Sequence, residues 1–273
     1  RKDFMTGKKV LYVSSEVIPY LPNNDISTLS YSLPKMVNEN GGQTRIFIPK
    51  YGLINERRHQ LHEVIRLSGM NLIIDDLDMP LIIKVASIPK ERMQVYFIDN
   101  DEYFKNRLLH ADAKKKLYKD NDERAIFFAK GVVETIKKLN WSPDIIHVHG
   151  WIAALMPLYI KEYYKDEPLF ENSKVVTSLY GDEIKGNLNS KIVSKIKFDE
   201  VESETLNTLN DPTYENLFKL SVLNSDGVII ASDNVNESII ELANKHNKPV
   251  LKCGFKEGFQ KEYLEFYNTK ILN

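Results

Sequence analysis

His147 and His149 stand two residues apart at the end of an apolar run and are followed by Gly150 and Trp151. On a strand this spacing turns both imidazoles to one face, where they serve either as metal ligands or as strand-end rings satisfied by hydrogen bonds. No carboxylate or cysteine completes a ligand set within the motif, so no metal is expected. Asp182 and Glu183, adjacent acids behind the apolar run 174–179, offer an acid and a base or two solvated loop carboxylates. A third stretch, 14–27, passes through Pro19 and Pro22, and the chain has no glycine between Lys8 and Asn40. Close approach of main chain to a phosphate needs glycine, so no glycine-rich phosphate cradle can form there. Asp25 or Ser27 suits the cap of the helix that follows.

The elements that must position these residues alternate short apolar runs with segments of helical period, the order of a parallel sheet covered by helices. Strands are predicted over 9–15, 44–49, 80–88, 93–98, 144–148, 174–179, 228–231 and 249–251, with a hairpin turning at 89–91. Helices are predicted from Ile26 to Gly41 with a distortion at Pro34, over 122–139, 151–164, 214–223 and 235–245, and in an amphipathic tail through Tyr267. Residues 51–78 read as a long irregular excursion, the Lys-rich 111–121 as a solvated loop, and 182–210 as a mobile connection or flap. The fold class is α/β, a doubly wound, mostly parallel, Rossmann-like sheet. Residues 1–7 are read as a tag or disordered start, and 8–273 as one domain. In such a sheet ligands bind beyond the carboxyl ends of the strands, at the point where strand order reverses, so the stretches 14–27, 147–151 and 177–186 are the candidates.

Composition narrows the function classes. Of 273 residues 42% are hydrophobic and 27% charged, a globular composition. The 37 Lys and Arg against 38 Asp and Glu leave a net charge of −1, with no global basic field for nucleic acid or an anionic membrane. No run approaches the roughly 18 apolar residues of a membrane span. A single cysteine, Cys253, excludes an internal disulfide and fits a cytoplasmic location.

Six stretches, taken in order, resemble the N-terminal half of bacterial glycogen synthase and plant starch synthase. They are Val13-Ser-Ser-Glu-Val-Ile-Pro-Tyr20, Ser32-Leu-Pro-Lys35, Ile48-Pro-Lys-Tyr51, Val95-Tyr-Phe-Ile-Asp-Asn-Asp-Glu-Tyr-Phe104, Asp120-Asn-Asp-Glu-Arg124 and Pro143-Asp-Ile-Ile-His-Val-His-Gly-Trp151. The resemblance implies a single N-terminal-type domain of a GT-B glycosyltransferase, in a family that passes glucose from ADP-glucose to an α-glucan with retention. On this resemblance the chain is expected to lack the family's C-terminal domain, which holds most of the donor. Glu16, Tyr20, His149 and Trp151 become the substrate-binding candidates, Glu16 toward sugar hydroxyls or as a loop anchor, and Trp151 stacking on glucose or serving as core.

Three departures accompany the resemblance. The family's Lys-x-Gly-Gly-Leu turn, which approaches the donor diphosphate, is replaced by Pro22-Asn23-Asn24-Asp25-Ile26. Pro22 removes a cation and an amide donor, while Asp25 adds a charge of the diphosphate's own sign. The family's His-x-His-Asp-Trp carboxylate is Gly150, and its Thr-x-His-Asn histidine falls on Leu179. The expectation is a glucan-metabolism domain with no catalytic residue and no cofactor of its own, binding α-glucan or a protein partner that supplies a C-terminal GT-B domain. The alternatives are an active ADP-glucose-dependent synthase completed by a separate C-terminal domain, and a non-catalytic protein-interaction module.

Overall fold

The computed structural model describes residues 4–181 and 184–273. The first strand, β1 (Lys9–Ser14), is apolar on both faces and becomes the centre of the sheet. Onto it pair β2 (Gln43–Pro49) and β8 (Ile145–His149), both parallel. The remaining strands are β3 (His62–Glu63), β4 (Asn71–Ile74), β5 (Leu77–Pro80), β6 (Ile82–Ser87), β7 (Gln94–Asp99), β9 (Lys174–Leu179), β10 (Gly227–Ile230) and β11 (Val250–Lys252). The nine-stranded sheet runs β11-β10-β9-β8-β1-β2-β7-β6-β3, with β4 and β5 forming a separate hairpin. Only β6 and β3 run antiparallel to their neighbours, so the sheet is mostly parallel as expected. The chain builds outward from β1 through β2 and β7, then returns to β8 on β1's other side. That reversal opens a crevice beyond Ser14 and His149.

Helix α1 (Asp25–Glu39) packs on β1 and β2, and α2 (Asn121–Leu139) lies against β7 and the β4–β5 hairpin. Pro34 does not break α1, which is assigned continuously through it and buries the ring. The remaining helices are α3 (Met156–Leu158), α4 (Ile192–Phe198), α5 (Tyr214–Leu223), α6 (Glu237–Lys245) and α7 (Phe259–Phe266).

Four segments differ from expectation. The excursion 51–78 contains β3, a 3-10 turn (Ile65–Leu67), β4 and the start of β5. The Lys-rich loop folds back on itself through an Ala111–Leu117 bridge, and Tyr118 lies beneath the Arg107 and Arg124 guanidiniums. The helix over 151–164 is a 3-10 turn, the short α3 and a π turn (Tyr159–Tyr163), because Pro157 lacks the N–H that a regular ladder needs. The flap over 182–210 is, where described, packed structure: α4 and a 3-10 helix (Glu204–Asn210) bury Ile192, Ile196, Leu206 and Leu209, and Val201 is buried in the link between them.

Candidate functional site

The crevice is built by the residues just past β1 and β8. The Ser15 amide donates to the His149 carbonyl at 3.0 Å, continuing the β1–β8 pairing one step beyond the strands. The Ser14 hydroxyl is shared between Ser30 Oγ, at 2.7 Å, and the Glu16 carbonyl, at 2.9 Å, which turns the chain toward α1. At Gly150 φ is +88°, and an added Cβ would run into the Ser15 hydroxyl. Glycine is therefore required by this close approach, and the carboxylate that the resemblance places at 150 has no room in this backbone. The resulting cavity, about 140 Å³, is lined by Ser15, Glu16, Ile26, Leu109, His110, Gly150, Trp151, Leu179, Tyr180, Ile184, Phe218, Val235 and Ile239.

Among the candidates, Glu16 and Trp151 line this cavity, and His149 and Tyr20 do not. Glu16 accepts from Asn24 Nδ2 at 2.7 Å, tying the end of β1 to the start of α1. Tyr20 is packed edge-on between His59 and Phe97, and burial pushes its phenol up to about 12. Trp151 is 4% exposed, with Tyr214 at its edge, and its indole N–H has no hydrogen-bond partner among the described residues. His149 lies fully buried beneath the cavity, its Nδ1 2.8 Å from Tyr180 Oη. Burial drives its pKa down to about 3, so the ring is neutral.

His147 stacks on His149 with centroids 4.2 Å apart, confirming the shared face. Its two nitrogens are bonded to Tyr267 Oη at 2.6 Å and Ser178 Oγ at 2.7 Å. Of the two readings of this pair, metal ligands or rings satisfied by hydrogen bonds, the geometry has the second: both His147 nitrogens and one of His149 are hydrogen-bonded. No cluster of three metal-ligating side chains occurs among the described residues. Asp182 and Glu183 lie outside the described residues.

Three contributors escape a reading of sequence. Tyr180 brings a hydroxyl to the cavity wall beside Leu179, where the resemblance finds only an apolar side chain in the histidine's place. His110 lines the opposite wall, its pKa lowered by burial and by the Arg124 charge. Arg124, itself fully buried, donates to the carbonyls of Tyr103, Leu108 and Leu109 at 2.8, 3.0 and 2.7 Å and so holds the loop that carries His110. The motif 120–124 marks a helix start, but the sequence gives no sign that its arginine turns back onto a loop.

The stretch after Pro22 closes the N-terminus of α1 with side chains of its own. Asn24 Oδ1 accepts from the Ser27 amide and Ser27 Oγ from the Asn24 amide, each at 2.9 Å, a reciprocal capping box. The cap is thus Asn24, with Ser27 as its counterpart and Asp25 the first helical residue. Beside it a second cavity of about 520 Å³ is lined by Asn24, Asp25, Ile26, Gly181, Ser232, Asp233 and Asn234. That lining has two carboxylates and, among the described residues, no cation.

Together the parallel sheet and the crevice at its reversal define a doubly wound α/β domain. Residues 9–253 match the family described as the starch synthase catalytic domain, and the chain belongs to that family. It is 39% identical over 194 residues to a glycogen synthase of Chlorobium luteolum, a match covering 71% of this chain and 40% of the relative. A glycogen synthase of Chlorobaculum tepidum is 35% identical over 251 residues, covering 90% of this chain and 51% of the relative. The chain thus spans about half the length, or less, of these curated relatives. Among solved structures, the catalytic domain of Starch Synthase IV from Arabidopsis thaliana, bound to ADP and acarbose, superposes with a TM-score of 0.72. The match is at 18% identity and covers 91% of this chain and 52% of that one, a likeness of fold. No described helix is long and apolar enough to cross a membrane.

Proposed function

We propose that this chain serves the acceptor side of α-glucan metabolism: it holds α-glucan in the crevice beyond β1, β8 and β9, and does not by itself transfer glucose from ADP-glucose. A glycosyl donor would be presented by a partner carrying the other half of a GT-B enzyme. Membership of a family of glycogen and starch synthases supports the substrate class, as does the acarbose in the Starch Synthase IV structure.

The observation that carries the reading is the closed N-terminus of α1. Two of the amides at this end, those of Asn24 and Ser27, are engaged within the capping box, and Asp25 and Asp233 line the adjoining cavity. A lysine bond to a phosphate contributes roughly 1.5–3 kcal/mol, and here the lysine is replaced while two negative charges adjoin the position. Neutral sugar hydroxyls carry no such penalty, and the Glu16 carboxylate lines the crevice as an acceptor for them.

The test is native electrophoresis of the purified chain through a glycogen-containing gel, alongside an assay of ADP release from ADP-glucose with glycogen present. Retarded migration without ADP release is expected. ADP release by the chain alone would make it an active synthase. Neither effect would leave the protein-interaction module.

A further inference from the structure

The cavity beneath Glu16 and Trp151 continues outward. A second space of about 350 Å³ shares four of its walls, Tyr180, Ile184, Phe218 and Ile239, and is then rimmed by Lys185, Asn187, Asp211, Thr213, Glu215 and Asn216. Its size lies within the roughly 300–1,000 Å³ of small-molecule sites. The two spaces form one groove with an apolar floor and a polar outer rim, and Tyr180 stands where they meet.

A pyranose ring asks for this pairing of surfaces. Its faces are C–H and pack on apolar or aromatic walls, whereas its edge carries hydroxyls that need donors and acceptors. Phe218 and the Tyr180 ring supply wall at the junction, and the Asn187 and Asn216 amides with the Thr213 hydroxyl supply the edge.

The Tyr180 hydroxyl is fixed from below. It is bonded to His149 Nδ1 at 2.8 Å, and His149 is packed between His147, 4.2 Å away, and Tyr12, 6.2 Å away. His147 is in turn bonded at both nitrogens. A phenol held this way loses little conformational freedom when a ligand meets it.

We propose that Tyr180 is a glucan-contacting residue positioned by His149, and that it divides the groove into two successive hexose positions, an inner one against Trp151 and an outer one against Asn216. The inference rests on the glucan reading above and adds to it the residue and the number of sugar units.

It is tested by titration calorimetry with glucose, maltose and maltotriose on the whole chain. Maltose is expected to bind at least tenfold more tightly than glucose. Tyr180→Phe should lower maltotriose affinity about five- to tenfold in a chain that still unfolds in one cooperative transition. Asn216→Ala should reduce the advantage of maltose over glucose. His149→Leu should reproduce the Tyr180→Phe loss without adding to it in the double variant, and His149→Asn, which keeps a polar atom near Nδ1, should recover most of it. If the wild-type chain prefers maltose but Tyr180→Phe and Asn216→Ala bind as it does, the two-position inference is wrong and the glucan reading stands. If the wild type binds none of these sugars and no glycogen, both fall.

Discussion

His147 and His149 behave as neutral rings, because burial penalises the charged form of both and His149 further lowers the tolerance of His147 for a proton. Their role is to carry hydrogen bonds from the sheet's interior to the crevice, and titration is not part of it. This has a consequence for stability with a definite sign. In the unfolded chain a histidine titrates near 6.5, so below that pH the unfolded state binds protons that the folded state refuses, and stability falls with falling pH. Well below 6.5 each ring contributes up to about 1.4 kcal/mol per pH unit, the loss for His149 continuing toward its folded pKa of about 3. Urea unfolding at pH 7 and pH 5 is expected to give a roughly 2 kcal/mol smaller pH-induced loss for His149→Asn than for the wild type. Equal losses in the two proteins would mean that His149 takes up its proton within the fold.

At the scale of elements, α4 is the clearest case of structure imposed from a distance. Seven residues cannot sustain a helix alone, so its place is set by Ile192 and Ile196 in the core and by Lys195. The Lys195 ammonium meets Asp122 Oδ2 at 2.8 Å and Glu123 Oε2 at 2.7 Å at the start of α2. One turn later Asp199 binds Lys130 at 2.7 Å and accepts from Tyr159 Oη at 2.7 Å. Asp122 is fully buried and its other oxygen has no partner among the described residues, so removing Lys195 strands a carboxylate. Lys195→Ala should cost about 3–5 kcal/mol in urea unfolding, and pairing Lys195→Met with Asp122→Asn should recover most of that. Full additivity of the two changes would argue against the ion pair. The same contacts explain why residues 182–210 read as a flap. Their lysines and asparagines look solvated, and the acids that bury Lys195 lie some seventy residues upstream, beyond any local pattern. The strands β1, β8 and β9 were legible because continuous apolar runs have few other uses, and the crevice was legible as the ends of those runs. Tyr180 and His110 were not, since each reaches the cavity only through a partner, His149 or Arg124, that sequence spacing does not connect to it.

At the scale of the whole molecule, the family match ends at residue 253, yet the domain is not finished there. Helix α7 and the π turn after it (Tyr267–Ile271) form a strap that returns to the sheet. Tyr263 Oη donates to the Cys253 carbonyl at 2.6 Å, and Ile271 lies so close to Gly227 that a side chain there would strike it. Tyr267 reaches furthest, its hydroxyl bonded to Tyr12 Oη at 2.9 Å on β1 and to His147 Nδ1 at 2.6 Å on β8. The strap therefore closes the polar chain that ends, through the stacked histidines, at Tyr180. Phe259, Tyr263, Phe266, Tyr267 and Ile271 are all buried. At roughly 1.5–3 kcal/mol for each large apolar side chain, their burial is of the same order as the ~5–15 kcal/mol by which whole domains are stable. A chain cut after Gly254 should consequently lose its cooperative thermal transition and run expanded in size-exclusion chromatography. Tyr267→Phe, which keeps the ring and removes only the hydroxyl, should remain folded, lose about 1–3 kcal/mol, and bind maltotriose less tightly than the wild type if the crevice depends on this buried chain. A truncated chain that unfolds at the wild-type midpoint would instead make the strap an appendage to a core complete at Cys253.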